Sequence, residues 1–472
     1  MAVNDRDPAW AAHSNMRKKV ADLHAGRDTA LSYIRKLPGH DEETEKRFRE
    51  GAYFLPVVAR TAEAFGGLVF AKTPAREVPN GLGAYLSDVT GAGQDIDRFA
   101  EQGFDGILEG GAVMVLVDYP PAPERITKAA AEKLGIRPTL KLYAGTSILA
   151  ARSTKVGGTL RLSHVRLLEQ VEEQDTSDEF KVSTVTQVRV LDLDEANYYR
   201  QRVFRQIDGK WAQHGETVEP KKGNARLDQI PAFFCNTRDG EATPAKPPLA
   251  DLAEISIAHL NNSAALEWAL LWTANPTPVF KGLDLPEGET VKLGSSEGIA
   301  VTADGDAKFM EFTGSGLEEL RLALEAKRKD AAMMGARMLL ESPRQAIAAE
   351  TARIERAGET SVVTAIANAW SDCLTKALAF MADWAGVGGK VEYWLNTDLN
   401  PAGLSSDQLK ALLEAWQSGA ITLEDLFENL QRAEIVDPSK SFDDHKEELD
   451  NEGGSLGSIE PEPVDKPELE GA

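Results

Sequence analysis

The stretch EGGAVMVLVDYP, Glu109 to Pro120, sets the first choice of fold. An apolar run closing on an aspartate, Asp118, is how many nucleotide-hydrolysing enzymes present a carboxylate to magnesium. Such an enzyme also needs a phosphate loop, G-x-x-x-x-G-K-[ST], whose amides and lysine hold the phosphates. The only Gly-Lys pairs in the chain are Gly209-Lys210 and Gly389-Lys390, and neither is followed by Ser or Thr. The nucleotide reading fails. What is left is a buried strand with Asp118 at its polar end and Tyr119-Pro120-Pro121 as a stiff exit from a sheet.

Composition narrows the classes further. With 472 residues, 42% of them hydrophobic, the chain can build two or three domains or one elongated multi-part subunit. A net charge of −23 argues against a broad clamp on nucleic acid, because such clamps gain affinity by neutralising phosphates. Two cysteines, Cys235 and Cys373, supply neither a disulfide framework nor a thiolate zinc site and point to a reducing, cytoplasm-like compartment. No apolar run approaches the roughly 20 residues that cross a bilayer, and MAVNDRDPAW lacks a secretory pattern. From Asp443 to Ala472, eleven acidic residues stand against Lys446 and Lys466 with few large apolar ones, so disorder is expected there.

Working outward from the strand, the preceding residues read as helices: Met16–Leu37, then Glu43–Phe70 with Pro56 kinking or splitting it, then Ile96 to about Leu108. The texture turns to strands between Arg137 and Phe234, in RPTLKLY, TLRLSHVRLLEQVEE, STVTQVRVLDLD, NYYRQRVFRQIDGKW and IPAFFCNT. A Pro-rich linker leads to a helix over Leu249–Trp272, which NPTPVF ends. A small insert with strands ETVKLG, GIAVTA and AKFMEF follows. Leu317–Leu340 is a second long helix with Leu317, Leu320, Leu324, Ala331, Met334 and Met338 on one face and a Glu325–Lys329 pair on the other. Its 24 residues would span about 36 Å. Ala349–Trp384 is a third, with Val362, Ile366, Trp370, Cys373, Ala377, Phe380 and Trp384 along one side. A capping box at Ser405–Gln408 starts LKALLEAWQ, and LEDLFENLQRAEIV is the last helix.

Other motifs with catalytic associations have plainer readings. Gly314-Ser315-Gly316 lacks the third glycine of a dinucleotide fingerprint, and Glu318 and Glu319 behind it would repel a pyrophosphate. It reads as a tight turn feeding a capped helix. GGSLG at Gly453–Gly457 matches a nucleophile elbow only in letters, since it lies in the acidic tail. The histidines (13, 24, 40, 164, 214, 259 and 445) show no metal-ligand spacing, and His259 reads as a packing or interface residue. Asp95/Asp97 and Asp192/Asp194 sit at turns and strand ends. Neither a catalytic residue, nor a metal, nor a cofactor is expected. Basic residues do gather at Lys327, Arg328 and Lys329, with Arg337, Arg344, Arg353 and Arg356 beyond. Either they form a salt-bridged face, or they are isolated phosphate contacts in an acidic setting.

Taken in order, RTAEAFGGLVFAKTP, SDVTGAGQDIDRFA, EGGAVMVLVDYP, RPTLKLYAGTSILAAR, LDQIPAFFCN, NPTPVFKG, EFTGSGLEEL and ETARIERAGETSVVTAIA resemble the portal proteins of tailed bacteriophages, from about Met16 to Val436. The resemblance implies an α+β portal fold: an α/β wing over 1–247, stem helices over 248–272 and 316–340 flanking a β-containing clip at 273–315, a tunnel loop at 341–349, a long wing helix at 350–390 and a helical crown at 391–442. It also implies a ring, twelve-fold in the virion, at one capsid vertex. Double-stranded DNA enters through it, driven by the large terminase subunit, and leaves through it at ejection. Head-completion or adaptor proteins and the major capsid protein would be the other partners, with no membrane and no enzymatic activity. Lys327, Arg328, Arg337, Arg344 and Arg353 become candidates to face the DNA tunnel. A phage head or connector protein without a DNA channel is the alternative. An insert of about forty residues has too little area to fold alone, so neighbouring subunits are expected to complete it.

Overall fold

The computed structural model of the protein describes residues 2–120, 135–174, 180–274, 277–282, 304–310, 316–336, 349–397, 406–417 and 420–432, with isolated positions between them. It divides into two units, Met1–Thr397 and Asp398–Ala472.

Helices open the first unit. α1 (Pro8–Ala11), α2 (Ser14–His24) and α3 (Arg27–Ala30) lead into a 3-10 turn over Leu31–Tyr33. The periodicity of Met16–Leu37 predicts one helix, but the chain breaks it at Gly26, whose φ of +114° suits glycine and strains other residues. α4 (Glu42–Glu50) and α5 (Val57–Val69) show the split expected at Pro56. β1 (Ala75–Glu77) and α6 (Asn80–Leu86) precede α7 (Ile96–Gly110). Asp95 starts α7 by accepting a bond from the Arg98 amide at 2.8 Å. Gly111 stops it in the left-handed region, φ +71°, its N–H on the Ile107 carbonyl. A Cβ on Gly111 would lie 2.4 Å from the Ala245 carbonyl oxygen, so the glycine before the quoted strand is needed twice over.

β2 (Ala112–Asp118) is that strand, followed by β3 (Thr139–Ala144). β4 (Ile148–Val156), β5 (Thr159–Gln174), β6 (Val182–Leu193), β7 (Tyr199–Ile207) and β8 (Lys210–Val218) form an antiparallel five-stranded meander in chain order. A short hairpin, β9 (Lys221–Lys222) with β10 (Ala225–Arg226), leads to β11 (Ala232–Asn236), which pairs on β2 to give the sheet β11–β2–β3. β2 is the middle strand and is buried from Ala112 to Val117, which is why it reads as an unbroken apolar run.

Next come α8 (Ala250–Ala274), β12 (Thr277–Lys281), β13 (Asp306–Met310) and α9 (Leu317–Ala331), the last continuing as a π-helical turn over Ala332–Ala336. α10 runs over Ala349–Trp384, the predicted limits. β14 (Glu392–Trp394) returns to pair with β1. α10 lies on β11, β2 and α7. Trp370 donates its indole N–H to the Ala100 carbonyl at 2.9 Å. Ile366, Trp370, Cys373, Ala377 and Trp384 are buried as expected, but Val362 is 52% exposed and Val363 takes its place. Cys235 and Cys373 are free and buried, and burial pushes the Cys373 thiol up to about 12.

NPTPVF does more than end a helix. Residues 277–281 pair with 306–310 as an antiparallel ribbon, Thr277 opposite Met310 and Lys281 opposite Asp306. The predicted second helix keeps α-geometry only to Ala331. The expected strands ETVKLG and GIAVTA, the helix end at 337–340, the loop at 341–348, Ser405 and, apart from Lys446, the tail 443–472 lie outside the described residues.

In the second unit, α11 (Ser406–Gln417) is followed by α12 (Leu423–Arg432). Thr422 and Asp425 cap α12 reciprocally: the Thr422 amide donates to Asp425 Oδ2 at 2.9 Å and the Asp425 amide to Thr422 Oγ1 at 3.0 Å. Leu426 and Phe427 are its buried residues, with the ring of Phe442 edge-on to Phe427 at 5.4 Å between centroids.

Candidate functional site

Helix α8 is anchored along its first two-thirds and free of that support further on. Leu252, Ala253, Ser256, His259, Leu260, Ser263 and Ala264 recur at three- and four-residue steps and are buried. The N-terminal helices α2, α4 and α5 pack on this stripe. Lys19 Nζ bonds Glu254 Oε1 at 2.5 Å, and the Tyr53 amide donates to Ser263 Oγ at 2.8 Å. Asn261 accepts from the Arg35 amide at 2.9 Å and donates to the Tyr33 carbonyl at 3.1 Å. Trp268 closes the anchored part, its ring 5.9 Å from Phe48 and 5.7 Å from His40. Past it, Leu271 is exposed.

The ribbon at the end of α8 has no core of its own. Every residue of β13 is exposed, with Phe309 and Met310 each 61% exposed, and Val279 on β12 is exposed too. Two strands alone are marginal in water. α9 then returns antiparallel to α8 and packs against it. Gly314, at φ +66°, makes the turn, and Glu318 and Glu319 fill the first helical turn, where their charge suits the helix dipole. The expected Glu325–Lys329 pair forms at 2.8 Å. Leu317, Leu320 and Leu324 are half-buried toward α8, while Leu322, Met333 and Met334 are exposed.

Of the five basic residues singled out in the sequence, Lys327 and Arg328 sit together on α9 and act on the same neighbour, the buried His259 of α8. Burial, then Arg328, then Lys327 push the His259 imidazole down to about 4. Arg337 and Arg344 lie outside the described residues. Arg353 belongs to α10, and its side chain lies outside the described residues as well. The sequence marks His259 as a packing or interface residue, and nothing in its own segment marks the cations that act on it.

The carboxylates with catalytic associations are all occupied by their own chain. Asp118 bonds Lys141 Nζ at 2.7 Å, accepts from Gln201 Nε2 at 3.1 Å and lies 3.6 Å from Arg189 Nη1. Burial works to raise its pKa, but Lys141, Gln201 and Arg189 together hold it below the usual range. Glu169 continues the network, accepting from Arg189 Nε at 2.7 Å, Tyr143 OH at 2.6 Å and Gln187 Nε2 at 2.6 Å. Asp97 bonds Arg76 and Tyr393 OH, Asp192 bonds Arg200 and Arg202, and Asp194 bonds Arg226. Among the described residues no three His, Cys, Asp or Glu groups are placed to hold a metal, and no helix is long and apolar enough to cross a membrane.

A family model described as a domain of unknown function, DUF4055, matches residues 248–385, which span α8, the ribbon, α9 and α10. No curated protein matches the chain. Among solved structures it is similar to a chain of the neck of a native GTA particle computed with C12 symmetry, at 14% identity and a TM-score of 0.41, over 86% of this chain and 98% of that one. It is also similar to a chain of the virion of a native gene transfer agent (GTA) particle, at 16% identity and a TM-score of 0.42, over 85% and 97%. A chain of the neck of an empty GTA particle, computed with C6 symmetry, gives 13% identity and a TM-score of 0.38 over the same shares.

Proposed function

We propose that this chain is the subunit of a portal-type ring at one vertex of a phage-like capsid, a conduit for double-stranded DNA during terminase-driven packaging and during ejection. The observation that carries the reading is the helix–ribbon–helix unit, in which two packed helices present a ribbon with Phe309 and Met310 in solvent. Such a ribbon gains a core when copies stand side by side, and a ring gives every copy two neighbours. The order of sequence motifs supports the same reading.

In this scheme residues 1–247 are the wing, 248–272 and 316–340 the stem, 273–315 the clip that meets the terminase and later the head-completion proteins, 341–349 the tunnel loop, 350–390 the wing helix and 391–442 the crown. The major capsid protein surrounds the ring, and the protein is a virion component with no catalytic role of its own. Lys327, Arg328, Arg337, Arg344 and Arg353 supply sparse positive charge near the bore of a subunit that carries −23 overall. Net repulsion lets the duplex slide, and a few cations keep it centred.

Mass photometry of the full-length protein tests the reading against its F309D/M310D variant. The expected outcome is a closed oligomer for the parent and predominantly smaller species for the variant at equal concentration. An oligomer of unchanged mass in the variant would remove the ribbon from the assembly contact.

A further inference from the structure

On the neighbouring strands β5, β6 and β7, the least exposed arginines find carboxylates. Arg166 meets Asp7 at 2.7 Å, Arg189 meets Glu169 at 2.7 Å and Arg202 meets Asp192 at 2.9 Å. The contact between α8 and α9 departs from this. His259 is 5% exposed, and its Nδ1 is buried without a hydrogen-bond partner. Lys327 and Arg328 lie on the part of α9 that packs against this stretch of α8 and act on the imidazole; among the described residues neither forms an ion pair, although Glu325, bonded to Lys329, lies near enough to feel Arg328. Ser256, three residues before His259 on the same helix, is buried as well. Among the described residues no charged group of α2, α4 or α5, the other helices packed on α8, bears on His259.

A buried polar atom without a partner costs free energy, and two cations beside an imidazole oppose its protonation. One ligand type relieves all of this at once. We propose that the α8–α9 contact is an oxyanion site, in which Lys327 and Arg328 bind a phosphate-type anion and His259 completes it by taking up a proton. Arg328 is exposed and Lys327 half-buried, so the anion approaches from the α9 side. The guanidinium offers a planar pair of donors, the ammonium a point charge, and the imidazolium a third charge-assisted bond. The anion's negative charge offsets the effect that keeps the empty-site imidazole neutral, so binding and protonation are linked. Every group lies within one chain, so the site stands whether or not the chain forms a ring.

Sulfate is the suitable probe because its charge is constant across the range in which a histidine titrates. Calorimetric titration of the full-length protein at pH 5.5 and pH 7.5, at constant ionic strength, is expected to show tighter sulfate binding at the lower pH. K327Q/R328Q should weaken binding about tenfold or more at both values, and H259Q should abolish the difference between them. Wild-type affinity that is equal at the two pH values, or undiminished affinity in K327Q/R328Q, would overturn the proposal. If H259Q fails to fold, the double variant on the surface of α9 still decides it. Displacement of sulfate by a short DNA duplex would assign the phosphate to nucleic acid. Displacement by inorganic phosphate but not by the duplex would assign it to a free anion, and both results support the site.

Discussion

Asp105 sits where α2, α5 and α7 meet, and its environment sets a pH dependence that can be measured. Burial raises its pKa most, Glu109, Glu101 and Glu63 add to the rise, and His24 opposes it, leaving Asp105 at about 6. A carboxyl whose folded pKa lies above its unfolded value favours the folded state at low pH and loses that contribution as pH rises through about 6. His24 works in the same sense: its bond to Glu109 raises its pKa, so its contribution is complete below the unfolded value of about 6.5 and fades as pH rises through the folded one. Asp105→Asn should therefore stabilise the protein by about 1–2 kcal/mol at pH 8 and have little effect at pH 4. Urea denaturation at the two pH values checks this; equal effects at both would contradict it. Asp118 shows how far a single residue is legible. Its place at the polar end of a buried strand follows from the sequence, but Lys141, Arg189 and Gln201, which occupy it, are brought in by β3, β6 and β7. Asp118→Asn should cost about 3 kcal/mol in urea denaturation at pH 7, because it leaves Arg189 partly unmatched where solvent reaches it little.

At the scale of elements, long periodic segments were the most legible. Ala349–Trp384 runs over its predicted limits, and the helix beginning near Leu249 extends two residues past Trp272. Local signals fail where a residue type has two uses. Pro278 reads as part of a helix stop and so hides β12, in which it lies, because a strand containing proline is tolerated only at an edge. Gly26 looked like one more residue in a helical stretch and is instead a break at φ +114°. On α10, Val363 rather than Val362 is buried, since the choice between neighbours is made by α7 and the sheet rather than by the helix. Gly103 reports that packing most sharply, for a Cβ there would lie 2.0 Å from Trp370 Cζ2. Gly103→Ala is expected to cost about 2 kcal/mol or more and to shift Trp370 fluorescence as α7 and α10 move apart. Unchanged stability would mean that the two helices do not meet at this point.

At the scale of the whole molecule, the proposed ring rests on the helix–ribbon–helix unit. Its anchored end is tied by Glu254, Asn261, Ser263 and Trp268, and its far end offers Leu271, Phe309 and Met310 to solvent. Lys327 and Arg328 are legible as neighbours in sequence, but not as partners of another helix. Lys327 and Arg328 are joined to His259 by the antiparallel packing of α8 and α9, which periodicity alone does not set in register. Charge reversal at Arg344 is expected to reduce DNA packaging while leaving assembly intact; packaging at the parental level by that variant would take Arg344 out of the DNA path. The central claim is most directly tested by negative-stain imaging of the purified full-length protein. The account predicts rings with a central hole wide enough for a DNA duplex, about 20 Å across. A well-folded monomer at high concentration, with the 277–281/306–310 ribbon intact, would contradict it.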